Sequence, residues 1–128
     1  MFKQSKAFSG FSVNDIEEAK KFYGDILGLD VFDNGMGLEL RIVDSTPIFV
    51  YPKQDHVPAS FTILNFPVDD INKTVDDMVS KGIEFIRYNS IPDMQDERGI
   101  MRGAAANMGP DIAWFKDPSG NVLSVLSE

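Results

Sequence analysis

Apolar residues recur at Ile16, Ala19, Tyr23, Ile26 and Leu27, the three-and-four spacing of a helix that buries one stripe. The same spacing returns at Ile71, Val75, Met78 and Val79. Each run opens in a nearly identical hexapeptide, FSVNDI at 11–16 and FPVDDI at 66–71, which share Phe11/Phe66, Val13/Val68, Asp15/Asp70 and Ile16/Ile71. Asn14, with Glu17 in the capping-box position, is expected to cap the first helix, and either Asp69 or Asp70 the second. Gly28 and Gly82 end them, because glycine accepts the left-handed backbone past a helix terminus.

Short β-branched or aromatic runs follow each helix. Leu29–Phe32, Gly37–Val43 and Pro47–Tyr51 read as strands separated by the turn formers Asn34-Gly35 and Asp44-Ser45. After the second helix, Ile83–Tyr88 and Ile112–Phe115 read as strands, and Asp117-Pro118-Ser119-Gly120 turns the chain into Val122–Leu126. Another strand is expected around Gly99–Ala105, in a stretch rich in glycine and alanine. The fold class is therefore α+β: two paired βαβββ modules in one chain, approximately 1–55 and 56–128, forming curved mixed sheets around a cleft. Each half is too small to bury its own sheet face, so the expectation is one domain in which one half packs against the other.

Composition narrows the function. A chain of 128 residues can bury a core without staples, and it contains no cysteine for disulfide or thiolate chemistry. The start, MFKQSKAFSGFSV, has no apolar run of signal-peptide length, and no later stretch approaches the roughly 20 apolar residues needed to span a bilayer. A cytoplasmic protein is expected. Its net charge of -8 repels phosphate backbones and anionic membranes, which excludes nucleic acid and membrane as partners.

Three stretches, VNDIEEAKKFYGDILGLDV at 13–31, VDDINKTVDDMVSKGIEF at 68–85 and WFKDPSGNVLSVL at 114–126, resemble the vicinal oxygen chelate superfamily of glyoxalase I, bleomycin-resistance proteins and extradiol dioxygenases. The resemblance implies the glyoxalase/bleomycin resistance/dioxygenase fold, a ligand cavity inside the curved sheets, and a homodimer. In metal-using members a His or Gln lies five residues before the valine of each module's first strand, and a Glu lies on each module's last strand. Here the first-strand positions are Phe8 and Ile63, the final-strand position is Ser124, and Pro47–Tyr51 contains no carboxylate. A divalent first-row metal needs imidazole or carboxylate ligands converging at about 2 Å, so no metal and no other cofactor is expected.

Strand alternation suggests what faces the cleft instead. Phe8, Gly10 and Ser12 share one face of the first strand, with Phe11 and Val13 on the other; Ile63 and Asn65 share one face of the fifth. Asn65 either binds a ligand or caps a backbone group. Val122, Ser124 and Leu126 share a face, and the family-like register puts Trp114 beside Ser124, either to stack on a guest or as core. Met101 and Arg102 lie in segment 91–110, read as a flexible lid; Arg98 and Arg102 either meet a ligand carboxylate or form surface ion pairs. The ligand-binding candidates are thus Phe8, Tyr51, Ile63, Asn65, Met101, Arg102, Trp114 and Ser124.

Catalytic constellations are missing from the sequence. His56 is the sole histidine and reads as a solvated loop residue, and no Gly-x-Ser-x-Gly elbow or phosphate loop occurs. Asp93, Asp96 and Glu97 lack a calcium-loop pattern and read as solvated, while Asp69-Asp70 and Asp76-Asp77 are explained by capping and solvation. The leading expectation is a metal-independent protein that binds or sequesters a small organic molecule. The alternatives are a divergent glyoxalase-type lyase, isomerase or dioxygenase with a different metal site, and a non-catalytic interaction module.

Overall fold

Both copies of the repeat fold with the same order of elements. The computed structural model describes residues 1–91 and 94–127, which divide into two units, Met1–Pro58 and Ala59–Glu128. In the first, strand β1 (Gly10–Val13) leads into helix α1, whose α-helical part Ile16–Lys20 widens into a π-helical stretch, Lys21–Ile26. Strands β2 (Asp30–Asp33), β3 (Leu38–Arg41) and β4 (Ile48–Pro52) follow. The second unit contains β5 (Thr62–Val68), α2 (Ile71–Ser80), β6 (Met101–Arg102), β7 (Asp111–Lys116) and β8 (Val122–Ser127). Each unit holds a four-stranded mixed sheet, ordered β1-β4-β3-β2 and β5-β8-β7-β6. The first strand of each unit runs parallel to the last, and the remaining pairs are antiparallel. The α+β class and the doubled βαβββ order stand.

The helix starts follow the repeat more closely than the capping box suggests. Asp15, not Asn14, caps α1: its Oδ1 accepts the backbone N–H groups of Glu17 and Glu18 at 3.0 and 3.1 Å. Its counterpart Asp70 accepts the Lys73 N–H at 3.1 Å at the start of α2. The π-helical stretch closes with the Leu27 N–H on the Phe22 carbonyl at 2.9 Å. Its wider turn brings the adjacent Phe22 and Tyr23 inward together, whereas the regular helical stripe contains only Tyr23. The Tyr23 ring lies 5.9 Å from Phe11 and meets Phe22 edge-on at 5.1 Å, so Phe11 does belong to the helix side of β1.

Burial separates the faces of β3, β4 and β7, whereas β8 is buried on both. In the first unit Val13, Ala19, Tyr23, Leu38, Leu40 and Val50 are buried; in the second, Ile71, Val75, Ala113, Phe115, Leu123 and Val125 are. These are the strand faces and helix stripes that patterning assigns to core. Among the described residues, no helix is long and apolar enough to cross a membrane.

The stretch between α2 and β7 departs from expectation. Ile83–Tyr88 is not a strand, although Phe85 makes a single bridge to Phe115 and the Ile86 N–H reaches the Trp114 carbonyl at 2.8 Å. A side chain takes over where a strand partner would stand. The buried Gln95 accepts the Tyr88 N–H at 2.8 Å and donates to the carbonyls of Ile86 and Gly99 at 3.0 and 2.9 Å. Backbone groups need partners when buried, and an amide can satisfy both a donor and an acceptor without a ladder. The strand expected around 99–105 is only the two-residue β6.

Candidate functional site

Cross-strand pairing determines which side chains meet on the side of the first sheet away from α1. It sets Gly10, Phe49, Glu39 and Phe32 in one row and Ser12 beside Tyr51 in another. The rings of Phe49 and Tyr51 stack at 5.5 Å with 21° between planes. Gly10 lets β1 run close beside Phe49; a Cβ there would stand a tight 3.2 Å from the Phe49 carbonyl oxygen. A cavity of about 360 Å³ lies at this face, walled by Phe8, Met36, Pro47 and Phe49, with Asn34, Glu39 and Thr46 as its polar lining. Its size falls within the range of about 300–1,000 Å³ typical of small-molecule sites.

The turn that contributes Asn34 and Met36 to the cavity is held by its own side chains. Asn34 Oδ1 accepts the N–H groups of Met36 and Gly37, both at 3.0 Å, and Asp33 Oδ1 accepts that of Gly35 at 2.9 Å. Gly35 takes the left-handed backbone (φ 84°) that this turn requires. Across the same face, Ser12 Oγ and His56 Nδ1 are 2.6 Å apart. His56 is thus a half-buried anchor of the loop after β4, not the solvated residue its polar surroundings suggest.

The second sheet carries its own row, Asn65, Ser124 and Trp114, in the register expected from the turn. Ser124 is fully buried and donates to Asn65 Oδ1 at 2.5 Å. Tyr88 meets Trp114 edge-on at 5.2 Å, and burial raises the pKa of its phenol. Met101 pairs with Ile112, which pairs with Leu126, forming the adjacent row. The register between β5 and β8 shifts between Thr62 and Leu64, so Thr62 takes the place beside Val122. Simple alternation from Asn65 therefore does not transfer to Ile63.

Arg102 points its chemistry elsewhere. Its guanidinium donates to Asp96 Oδ2 at 2.8 Å, Asn72 Oδ1 at 2.7 Å and Asp111 Oδ2 at 3.2 Å. Arg98 reaches the same Asn72 Oδ1 at 2.7 Å and Asp76 at 2.9 Å, so both arginines tie the segment before β7 to α2. The described part of the expected lid is anchored by these bonds and by Gln95.

Asp96 is bound rather than solvated; Asp93 of the same acidic group lies outside the described residues. Burial alone raises the Asp96 carboxyl pKa, but the backbone N–H groups of Ile100 and Arg98 and the Arg102 guanidinium outweigh it and hold the pKa below the usual carboxylate value. A lowered folded pKa means that the unfolded chain binds the proton more readily. The contribution of Asp96 to stability is therefore complete above the unfolded pKa of about 4 and is lost as pH falls through the folded one. Urea midpoints measured from pH 7 to pH 3 should drop below about pH 4, and Asp96→Asn should flatten that drop while lowering the neutral-pH midpoint.

The family is shown by a match over nearly the whole chain. Residues 8–125 fit the model of the Glyoxalase/Bleomycin resistance protein/Dioxygenase superfamily. The chain belongs to this superfamily. The structure of a glyoxalase family protein from Bacillus anthracis is similar, with 20% identity, a TM-score of 0.68 and coverage of 100% of this chain and 99% of that one. The antibiotic binding protein TnmS3 from a Streptomyces species is 21% identical with a TM-score of 0.64, over 97% of each chain. The fosfomycin resistance protein FosX from Listeria monocytogenes is 11% identical with a TM-score of 0.69, over 98% of this chain and 93% of that one. No curated protein matches the sequence. At these identities the likeness is one of fold.

The superfamily's metal does not fit the residues at its usual positions. Phe8 is a cavity wall, Ile63 sits at the register shift, and the Ser124 hydroxyl is engaged by Asn65. Among the described residues, no three His, Cys, Asp or Glu side chains gather as a metal-binding group. Of the eight candidates, Phe8 and Tyr51 belong to the first unit and Ile63, Asn65, Met101, Arg102, Trp114 and Ser124 to the second. Phe49, two residues from Tyr51, was within reach of the alternation rule; Glu39 was not, because its place depends on the β3–β4 register.

Proposed function

We propose that this superfamily member binds a small, partly apolar organic molecule without a metal ion, in the cytoplasm and as a homodimer. One observation carries the reading: Phe8, at a position where metal-using relatives carry a donor, walls a cavity of about 360 Å³ together with Phe49. Apolar walls with a few polar groups suit retention of an organic guest, whereas removing hydration from a metal ion there would leave it under-coordinated. An antibiotic binding protein and a fosfomycin resistance protein with the same fold support small molecules as the class of guest. Asn65, Trp114 and Met101 on the second sheet, with Ile63 nearby, are proposed as a separate set of guest contacts; the buried Ser124 is proposed to position Asn65, and Arg102 to brace that segment.

The test is calorimetric titration of chelator-treated protein against a panel of metabolites and antibiotics. At least one compound should saturate with an affinity unchanged by chelator. Phe49→Ala should weaken it by about tenfold or more, since a buried aromatic contact is worth over 1.4 kcal/mol. Stoichiometric metal in protein purified without chelator, with turnover of methylglyoxal and glutathione, would instead establish the enzymatic reading. Light scattering at two protein concentrations tests the dimer.

A further inference from the structure

Glu39 pairs across the sheet with Phe32 on β2 and with Phe49 on β4, so the three side chains share one face, and Glu39 and Phe49 both line the cavity. The Phe32 side is already occupied. Arg41 places its guanidinium 4.3 Å from the centre of the Phe32 ring, with Nη2 at 3.6 Å from Glu39 Oε1, an ion pair longer than a hydrogen bond. The protein thus holds one cation of its own by a ring face and this carboxylate. The Phe49 side offers the same two elements without a side-chain cation among the residues lining the cavity.

We propose that the Phe49 side of Glu39 is a site for an organic cation, an ammonium or guanidinium attached to a small apolar body. This rests on the reading of the cavity as a small-molecule site and names the class of guest. The quadrupole of an aromatic ring attracts a cation, and Phe49 is held in place by its stack on Tyr51. Phe8, Met36 and Pro47 then cover the apolar body, while Asn34 and Thr46 supply polar contacts at the rim. An anionic guest would meet the Glu39 carboxylate, and the nearby Arg41 is already engaged with Phe32. The net charge of -8 adds a long-range field of the right sign, though it does not select a site.

The experiment is an NMR titration of the chelator-treated full chain with three probes of similar shape: 2-phenylethylammonium, 2-phenylethanol and 3-phenylpropionate. The ammonium should shift the backbone amides of residues 34–39 and 46–49 and bind about tenfold more tightly than the alcohol. The carboxylate should bind weakest. Glu39→Gln should bring ammonium and alcohol within about twofold of each other by weakening the ammonium, and Arg41→Gln should tighten the ammonium by removing the internal competitor. Equal binding of ammonium and alcohol to the natural chain, or a preference that survives Glu39→Gln, overturns the cation site and leaves the apolar-guest reading intact. If none of the three probes moves a cavity amide, both fail. The dispersion of the amide spectrum shows that each variant is folded.

Discussion

Asp117→Ala should unfold at markedly lower urea concentration than the natural chain, with a loss of about 3–5 kcal/mol. The Asp117 carboxylate is almost fully buried and accepts the N–H groups of Ser119 and Asn121 at 2.9 Å each through Oδ1, and the Asn121 amide at 2.9 Å through Oδ2. Alanine would remove the acceptor of two backbone donors on the buried residues Ser119 and Asn121. The turn closes further through Asp117 N–H to the Asn121 carbonyl and Gly120 N–H to the Asp117 carbonyl, both at 3.0 Å. Asp117→Asn keeps an acceptor for the backbone but sets amide against amide at Asn121, so a smaller loss of about 1–2 kcal/mol is expected. Equal midpoints for the alanine variant and the natural chain would show that the turn does not govern stability. This turn also holds Trp114 opposite Ser124, so amide exchange along β7 and β8 should quicken in the alanine variant.

Gly37→Ala should be as damaging for a different reason. Gly37 does not need a left-handed backbone; it needs the absence of a side chain. A Cβ there would approach the Val50 carbonyl oxygen to 2.3 Å and the Phe49 ring to 3.0 Å. Backbone oxygen in a sheet cannot move aside as the end of a flexible side chain can, so the strands must part locally. A loss of about 3 kcal/mol is expected, lowering the thermal midpoint by about 10 °C. Because the clash displaces Phe49, guest binding should weaken even under conditions where the variant stays folded. Gly24→Ala is the matched control, since its Cβ would meet the Val31 side chain at an ordinary 3.6 Å. Comparable losses at the two glycines would point to helix or chain flexibility rather than to close approach.

The fold was largely legible because its signals are local. The glycine stops, the helical stripes and the Asp-Pro-Ser-Gly-Asn turn each act over a few residues, and each stands in the structure, as does Asp70 as one of the two caps expected for α2; at α1 the cap is Asp15 where Asn14 was expected. The errors have physical causes too. Ile83–Tyr88 has strand composition, yet its backbone bonds to the side chain of Gln95, a choice that no propensity encodes. His56 looked solvated because its neighbours are polar, while its partner Ser12 is far away along the chain.

The candidate site was legible only in part. Phe8 was named from the superfamily's first-strand position and lies just before β1, whereas Glu39 and Phe32 enter the row with Phe49 only through the pairing of three strands. Arg102, on the expected lid, was read as meeting either a ligand carboxylate or an ion-pair partner; Asn72, Asp96 and Asp111 claim it once α2 and β7 are positioned.

Taken alone, the order of residues determined the duplicated βαβββ plan and the glycine ends of the helices, since these depend on short-range patterning. Tertiary structure decided which carboxylate borders which ring, where a strand slips by a residue, and which arginines are already held. Those outcomes depend on register between distant strands, where a shift of one residue exchanges every side chain between the two faces of a sheet.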